Sequence, residues 1–120
     1  MTQNTLSMAD LRQFTGTENW YRHGLAPNVL YTDGAKYLAE KAGAYWLLDE
    51  IALAQSLPAI KAEQFQHWRL TVRADHTATL TCDDGNGEIR LIKEIEFTDF
   101  PLPEVAIYCT DNVIMLTSEY

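Results

Sequence analysis

The hydrophobic positions along the chain change their period once, and that change divides it into two regions. Residues 1–7 carry no period and read as a flexible N-terminus. At Ser7 a capping signature begins, with Asp10 three residues on and Leu11 and Phe14 on one helical face; this predicts a helix over 8–14, stopped before Gly16. Thr15 to Tyr31 has no clean period. It scatters Trp20, Tyr21, Leu25, Val29 and Leu30 among polar residues, with Gly24 and Pro27 as breakers, and reads as an aromatic loop wrapping the domain, with room for one short helical turn.

After Thr32 the period becomes helical. Thr32 or Asp33 can cap, Lys36 and Glu40 form an i,i+4 pair, and Tyr37, Leu38, Ala42, Tyr45 and Leu48 recur on one side. Trp46 to Ala54 is apolar on nearly every side except at Asp49 and Glu50, so this helix must be buried against more than one surface. Gly43, costing about 1 kcal/mol inside a helix, leaves open one long helix or two pieces bent there. Pro58 enforces the stop, and 59–64 is a connector with one helical turn.

From Phe65 the period is two. Trp68, Leu70 and Val72 alternate with His67, Arg69, Thr71 and Arg73, and then Ala78, Leu80 and Cys82 alternate with Thr77, Thr79 and Thr81. Asp83-Asp84-Gly85-Asn86-Gly87 is a hairpin turn. Ile89 to Phe97, Val105 to Cys109 and Val113 to Leu116 complete five strands, with a bulge expected near Leu91 and Ile92. The fold class is therefore α+β. The N-terminal helices should pack on one face of a roughly five-stranded antiparallel meander, all within one domain spanning 1–120.

Composition agrees and narrows the function classes. In 120 residues, hydrophobic side chains make up 47% and charged ones 22%, as in a globular domain. The formal charge of -8 argues against direct nucleic-acid binding and against an anionic membrane surface. No apolar run is long enough for a membrane span and the first residues do not form a signal peptide, so a cytoplasmic location is expected. Cys82 and Cys109 read as reduced core thiols.

The stretches "LRQFTGTENWYRH", "VLYTDGAKYLAEKAGAYWLLDEIALAQ", "ATLTCDDGNGEI" and "KEIEFTDFPLPEVAIYCTDNVIMLTSEY" resemble a family of small uncharacterised bacterial proteins met in plasmid, phage and other mobile-element settings. The resemblance runs from about Leu11 to Tyr120. It brings no activity, ligand or catalytic residue. It implies a self-contained domain, and a setting in which interference with a host or defence protein is worth considering.

No metal or cofactor is expected. His23, His67 and His76 lie far apart, and the acidic turn Asp83, Asp84, Asn86 and Glu88 is half the length of a calcium loop. His67, Arg69, Thr71 and Arg73 share a strand face with Thr77, Thr79 and Thr81, a basic and hydroxylic patch that could take a phosphate or a partner's carboxylate. Acidic residues concentrate in the second half, 11 against 6 in the first. Among them Glu94 and Glu96 sit two apart in a strand, with Asp99 following.

Three functional readings follow. The leading one is a non-enzymatic protein-interaction domain, an inhibitor or modulator of a host protein. It would present Glu94, Glu96 and Asp99 to a basic surface, or use the aromatic loop at Trp20 and Tyr21. The second is a small enzyme or ligand-binding domain whose pocket between loop and helix is lined by Trp20, Tyr21, His23 and Asp49. The third is a structural homodimer without ligand.

Overall fold

A computed structural model describes residues 6–120. Of the expected flexible stretch, residues 1–5 lie outside the described residues, whereas Leu6 is 3% exposed within the core. Ser7 and Asp10 form the anticipated capping box at the start of α1 (Met8–Arg12). The segment read as a loop contains two short strands, β1 (Trp20–Arg22) and β2 (Leu30–Thr32), paired antiparallel. Three residues are too few to display an alternation, so pairing and not pattern defines them.

The helical run is two pieces. α2 (Asp33–Ala42) is capped by the Thr32 hydroxyl, which accepts from the Ala35 N–H, and ends at Gly43 in the left-handed conformation (φ 62°). α3 (Tyr45–Ala54) follows at once, and α4 (Pro58–Lys61) forms the connector's single turn. The five anticipated strands are present: β3 (Phe65–Val72), β4 (Ala78–Asp83), β5 (Ile89–Ile95), β6 (Glu104–Thr110) and β7 (Val113–Leu116). A 3₁₀ turn, Thr117–Glu119, ends the chain's regular structure.

The sheet is neither five-stranded nor a simple meander. It has seven strands in the order β1-β2-β7-β6-β3-β4-β5, and β2 runs parallel to β7. After β5 the chain passes back across the sheet and lays β6 on the free edge of β3, a Greek-key arrangement. Burial explains the order. On β6, Val105, Ile107 and Cys109 are all buried, and a central position supplies neighbours on both sides. β5 exposes Ile89 and Ile92 and stands at the edge. The expected irregularity in β5 is a register shift opposite Cys82 and Asp83.

Trp68, Leu70, Ala78, Leu80, Cys82, Val105, Ile107, Cys109, Ile114 and Leu116 form the inward face of the sheet. Leu38, Ala39, Leu47, Leu48, Ile51 and Ala52 of α2 and α3 close over it. Trp46 is only partly buried against this core, and the fully buried tryptophan is Trp68. The Trp68 indole N–H donates to the Gln66 side-chain oxygen at 3.0 Å. Gln66 in turn exchanges two 2.8 Å hydrogen bonds with Gln55, binding the end of α3 to β3.

The buried side of α3, rather than its tryptophan, should therefore dominate stability. Leu48→Ala is expected to cost about 2–5 kcal/mol in equilibrium denaturation, and Trp46→Ala distinctly less. Equal losses for the two would show that Trp46 carries as much of the core as Leu48.

Candidate functional site

The structure pairs two of the three histidines with an aspartate, in opposite senses. His23 follows β1 and is buried. Its Nδ1 accepts the backbone N–H groups of Leu25 and Ala26, both at 3.1 Å, so the proton sits on Nε2 and is donated to Asp49 Oδ1 at 2.8 Å. Both ring nitrogens are used. The imidazole pins residues 23–29 to α3 and has no lone pair left for proton transfer.

The residues expected to line one pocket do not converge. His23 and Asp49 meet, but Trp20 is 55% exposed, and Tyr21 is engaged with Asp33 at the start of α2. The Tyr21 hydroxyl donates to Asp33 Oδ1 at 2.9 Å, its ring stacks on Tyr31 at 5.6 Å, and Lys36 Nζ lies 4.5 Å from its centroid. The hydrogen bond to Asp33, with desolvation, raises the tyrosine's pKa above the ordinary phenol value. A cleft of about 600 Å³ does lie between the 25–29 loop and the end of α3. It is lined by Leu25, Asn28, Ala52, Gln55, Lys61 and Asn112 among others, and by none of the four residues named for it.

The basic and hydroxylic face forms with the anticipated register: Arg69 stands opposite Thr81, and Thr71 opposite Thr79. Arg73 reaches Thr77, Thr79 and Glu94. Glu94 thus stands in a mixed network, its two oxygens also accepting from Thr79 at 3.1 Å. Glu96 lies just beyond the end of β5, and both it and Asp99 are exposed.

Between them stands Phe97, 69% exposed, which the strand pattern had left unremarked. Its backbone is held from beneath. The Thr98 N–H donates to His76 O at 2.8 Å, His76 Nδ1 lies 3.2 Å from Thr98 O, and the Phe100 N–H donates to the Thr98 hydroxyl at 3.1 Å. Thr98 and Phe100 are buried, so the chain is anchored directly after the exposed ring, and two residues before it Ile95 is paired with Ala78.

The acidic hairpin turn spends its carboxylates on its own backbone. Asp83 accepts from the Gly85 N–H, and Asp84 from those of Asn86 and Glu88. The bond from Asn86 is the main cause that holds Asp84 below the usual carboxylate range. Among the described residues no three His, Cys, Asp or Glu side chains are grouped to hold a metal ion. Cys82 and Cys109 are free and buried, and desolvation raises both thiols to about 12. No helix among the described residues is long and apolar enough to cross a membrane.

The chain belongs to a family of unknown function, DUF6876, whose model matches residues 5–120. No curated protein and no solved structure matches it significantly.

Two measurements test these assignments. His23→Ala leaves two backbone donors without their acceptor and should cost about 2–4 kcal/mol, whereas Asp49→Asn, which keeps an acceptor for Nε2–H, should cost little. If the two variants melt alike, the ring's backbone bonds are not what fixes the loop. The cysteines should react with a thiol reagent only on unfolding, since a pKa of about 12 leaves few thiolates at pH 8. Rapid labelling of the native protein would contradict that burial.

Proposed function

We propose that the protein is a non-enzymatic protein-interaction domain that docks through residues 94–99. The observation that carries this reading is the exposed Phe97, flanked in sequence by the exposed Glu96 and Asp99 and presented on backbone fixed through His76 and buried Thr98. An aromatic ring already held in place loses little freedom on binding, which is the property of an interface anchor. The carboxylates around it suit a partner with a basic rim and an apolar socket. Glu94, tied to Arg73 and Thr79, contributes less free charge than its two companions. The reading extends to a cytoplasmic modulator of a host protein in a mobile-element setting, as the sequence resemblance suggests.

The other readings have less behind them. His23, named as a lining residue of the alternative pocket, has no free nitrogen, and the loop-to-helix cleft lacks the residues assigned to it. A homodimer through the long edge strand β5 would meet two features that oppose edge pairing: its bulge, and Lys93, which reaches across to Glu50 at 2.6 Å.

The test is affinity capture with the wild type and with the triple variant Glu96→Lys, Phe97→Ala, Asp99→Lys. The variant should keep the wild-type melting temperature and circular dichroism, since all three side chains are exposed. It should lose the captured partner by about 30-fold or more in affinity, as expected on removing an anchor of 2 kcal/mol or more. Trp20→Ala should retain the partner. Identical capture by the wild type and the triple variant, or capture by the wild type no better than by a matched acidic protein, would remove the segment from the account.

A further inference from the structure

The second His–Asp pair lies elsewhere on the open face of the sheet, toward the start of β3. His67 and Arg69 are alternate residues of that strand and point to the same side. Across from His67 stand Asp83 on β4 and Tyr108 on β6; across from Arg69 stand Thr81 and Ala106. Ala106, the small residue across from Arg69, stands between Tyr108 and Glu104 on its own strand.

His67 Nδ1 lies 3.0 Å from Asp83 Oδ2, and the other oxygen of Asp83 accepts the Gly85 N–H at 2.7 Å. The carboxylate is therefore fixed by the hairpin turn, holds the ring proton on Nδ1, and turns Nε2 outward. Nε2 has no hydrogen-bond partner among the described residues, and since no fully buried side-chain nitrogen or oxygen there lacks one, this atom keeps some access to solvent. The arrangement is the reverse of His23, whose nitrogens are both consumed. Arg69 is exposed and enters none of the ion pairs among the described residues, unlike Arg73 and Arg90.

Beside this pair stands a cluster of rings. Tyr108 lies 5.8 Å from the His67 ring, 4.8 Å from Phe65 and 5.3 Å from Tyr120 between centroids. The hairpin turn closes over Phe65 so tightly that a Cβ on Gly85 would stand 2.9 Å from the ring. Tyr120 remains exposed at the outer side of the cluster.

We propose that this patch binds a small aromatic phosphate monoester. The Arg69 fork takes two phosphate oxygens, and His67, when protonated, donates Nε2–H to a third, with the Thr81 hydroxyl beside them. Asp83 is a positioning residue that also offsets the imidazolium charge. The ligand's ring lies against Tyr108 and Tyr120. A tetrahedral phosphate can use all three donors, whereas a planar carboxylate offers two oxygens; that difference selects the phosphate. The site is separate from residues 94–99 and does not depend on their role.

The test follows the ring signals of His67 and the side-chain signal of Arg69 by NMR as phenyl phosphate, inorganic phosphate or benzoate is added. Phenyl phosphate should give saturable shifts at both residues. Inorganic phosphate should bind several-fold more weakly for want of ring contact, and benzoate more weakly than phenyl phosphate for want of the third oxygen. Arg69→Gln, an exposed change that should leave the fold intact, should weaken phenyl phosphate by about 10-fold or more, the effect of losing one charge-assisted contact. Tyr108→Leu should bring phenyl phosphate down to the level of inorganic phosphate, and Phe97→Ala should bind as the wild type does. Shifts that fail to saturate, equal binding by Arg69→Gln, or benzoate matching phenyl phosphate would each overturn the proposal.

Discussion

The carboxylate of Glu119 joins the two regions of the chain. It accepts from the Thr32 hydroxyl at 2.6 Å, from the Gly34 N–H at 3.0 Å and from the Leu116 N–H at 2.9 Å. One side chain therefore holds the end of β7, the end of β2 and the first turn of α2, where the helix presents unpaired donors and the positive end of its dipole. Gly34 makes this possible, because a Cβ there would stand 2.5 Å from a Glu119 oxygen. With β2 fixed in this way, its parallel pairing with β7 follows and β1 is carried in on its far side. Asp33 completes the hub outward: its carboxylate accepts from the N–H groups of Glu18 and Asn19 and from Tyr21. The Glu18 N–H is the main cause that holds Asp33 below the usual carboxylate range.

Once that hub has placed α2, the two faces of the sheet are committed to different uses. The inner face is spent on stability: its apolar side chains are covered by α2 and α3, and its one inward glutamine, Gln66, is satisfied by Gln55, Trp68 and the carbonyls of Ile60 and Glu63. On the outer face arginines and threonines alternate with rings, and side chains with unused bonding capacity collect there. The two His–Asp pairs show the difference. Where backbone amides saturate the imidazole, the residue is a tether; where a hairpin turn fixes the aspartate, the imidazole keeps an open nitrogen.

What the sequence conveyed depended on the range of the interactions. The capping box at Ser7, the helices after Thr32 and the five strands from Phe65 are set by neighbours a few residues away, and their pattern was readable. So was the shared face of His67, Arg69 and the threonines, which needs only the two-residue period and one hairpin. The strands at Trp20 and Leu30 were not, because three residues show no period and their partners lie far along the chain. The placement of β6 beside β3 depends on how much apolar surface each strand can bury, a comparison that local alternation does not make. The pairing of His67 with Asp83 could have been found by counting registers back from the turn at 73–77, across which Val72 pairs with Ala78. The anchoring of Phe97 could not, since it rests on the return of the 96–100 segment to His76.

The proposed acidic docking segment and the proposed anion-binding patch are compatible on one sheet for an electrostatic reason. From Arg69 along β3 to the level of Glu96 the strand rise gives about 13 Å, and the two strand spacings between β3 and β5 bring the separation to about 16 Å. Screening at physiological salt decays over about 8 Å. Carboxylates at 96 and 99 therefore have little effect on the field at Arg69, even though the formal charge of the whole chain is -8. Nearer by, Glu94 is neutralised within its own network by Arg73, and Asp83 is turned toward His67 and the Gly85 amide. Around Ala106 there remain the exposed guanidinium of Arg69 and the unpartnered nitrogen of His67, with Glu104 the carboxylate on the same strand face. The net charge of the protein governs its approach to large polyanions; the local set of donors governs what a small anion meets at contact.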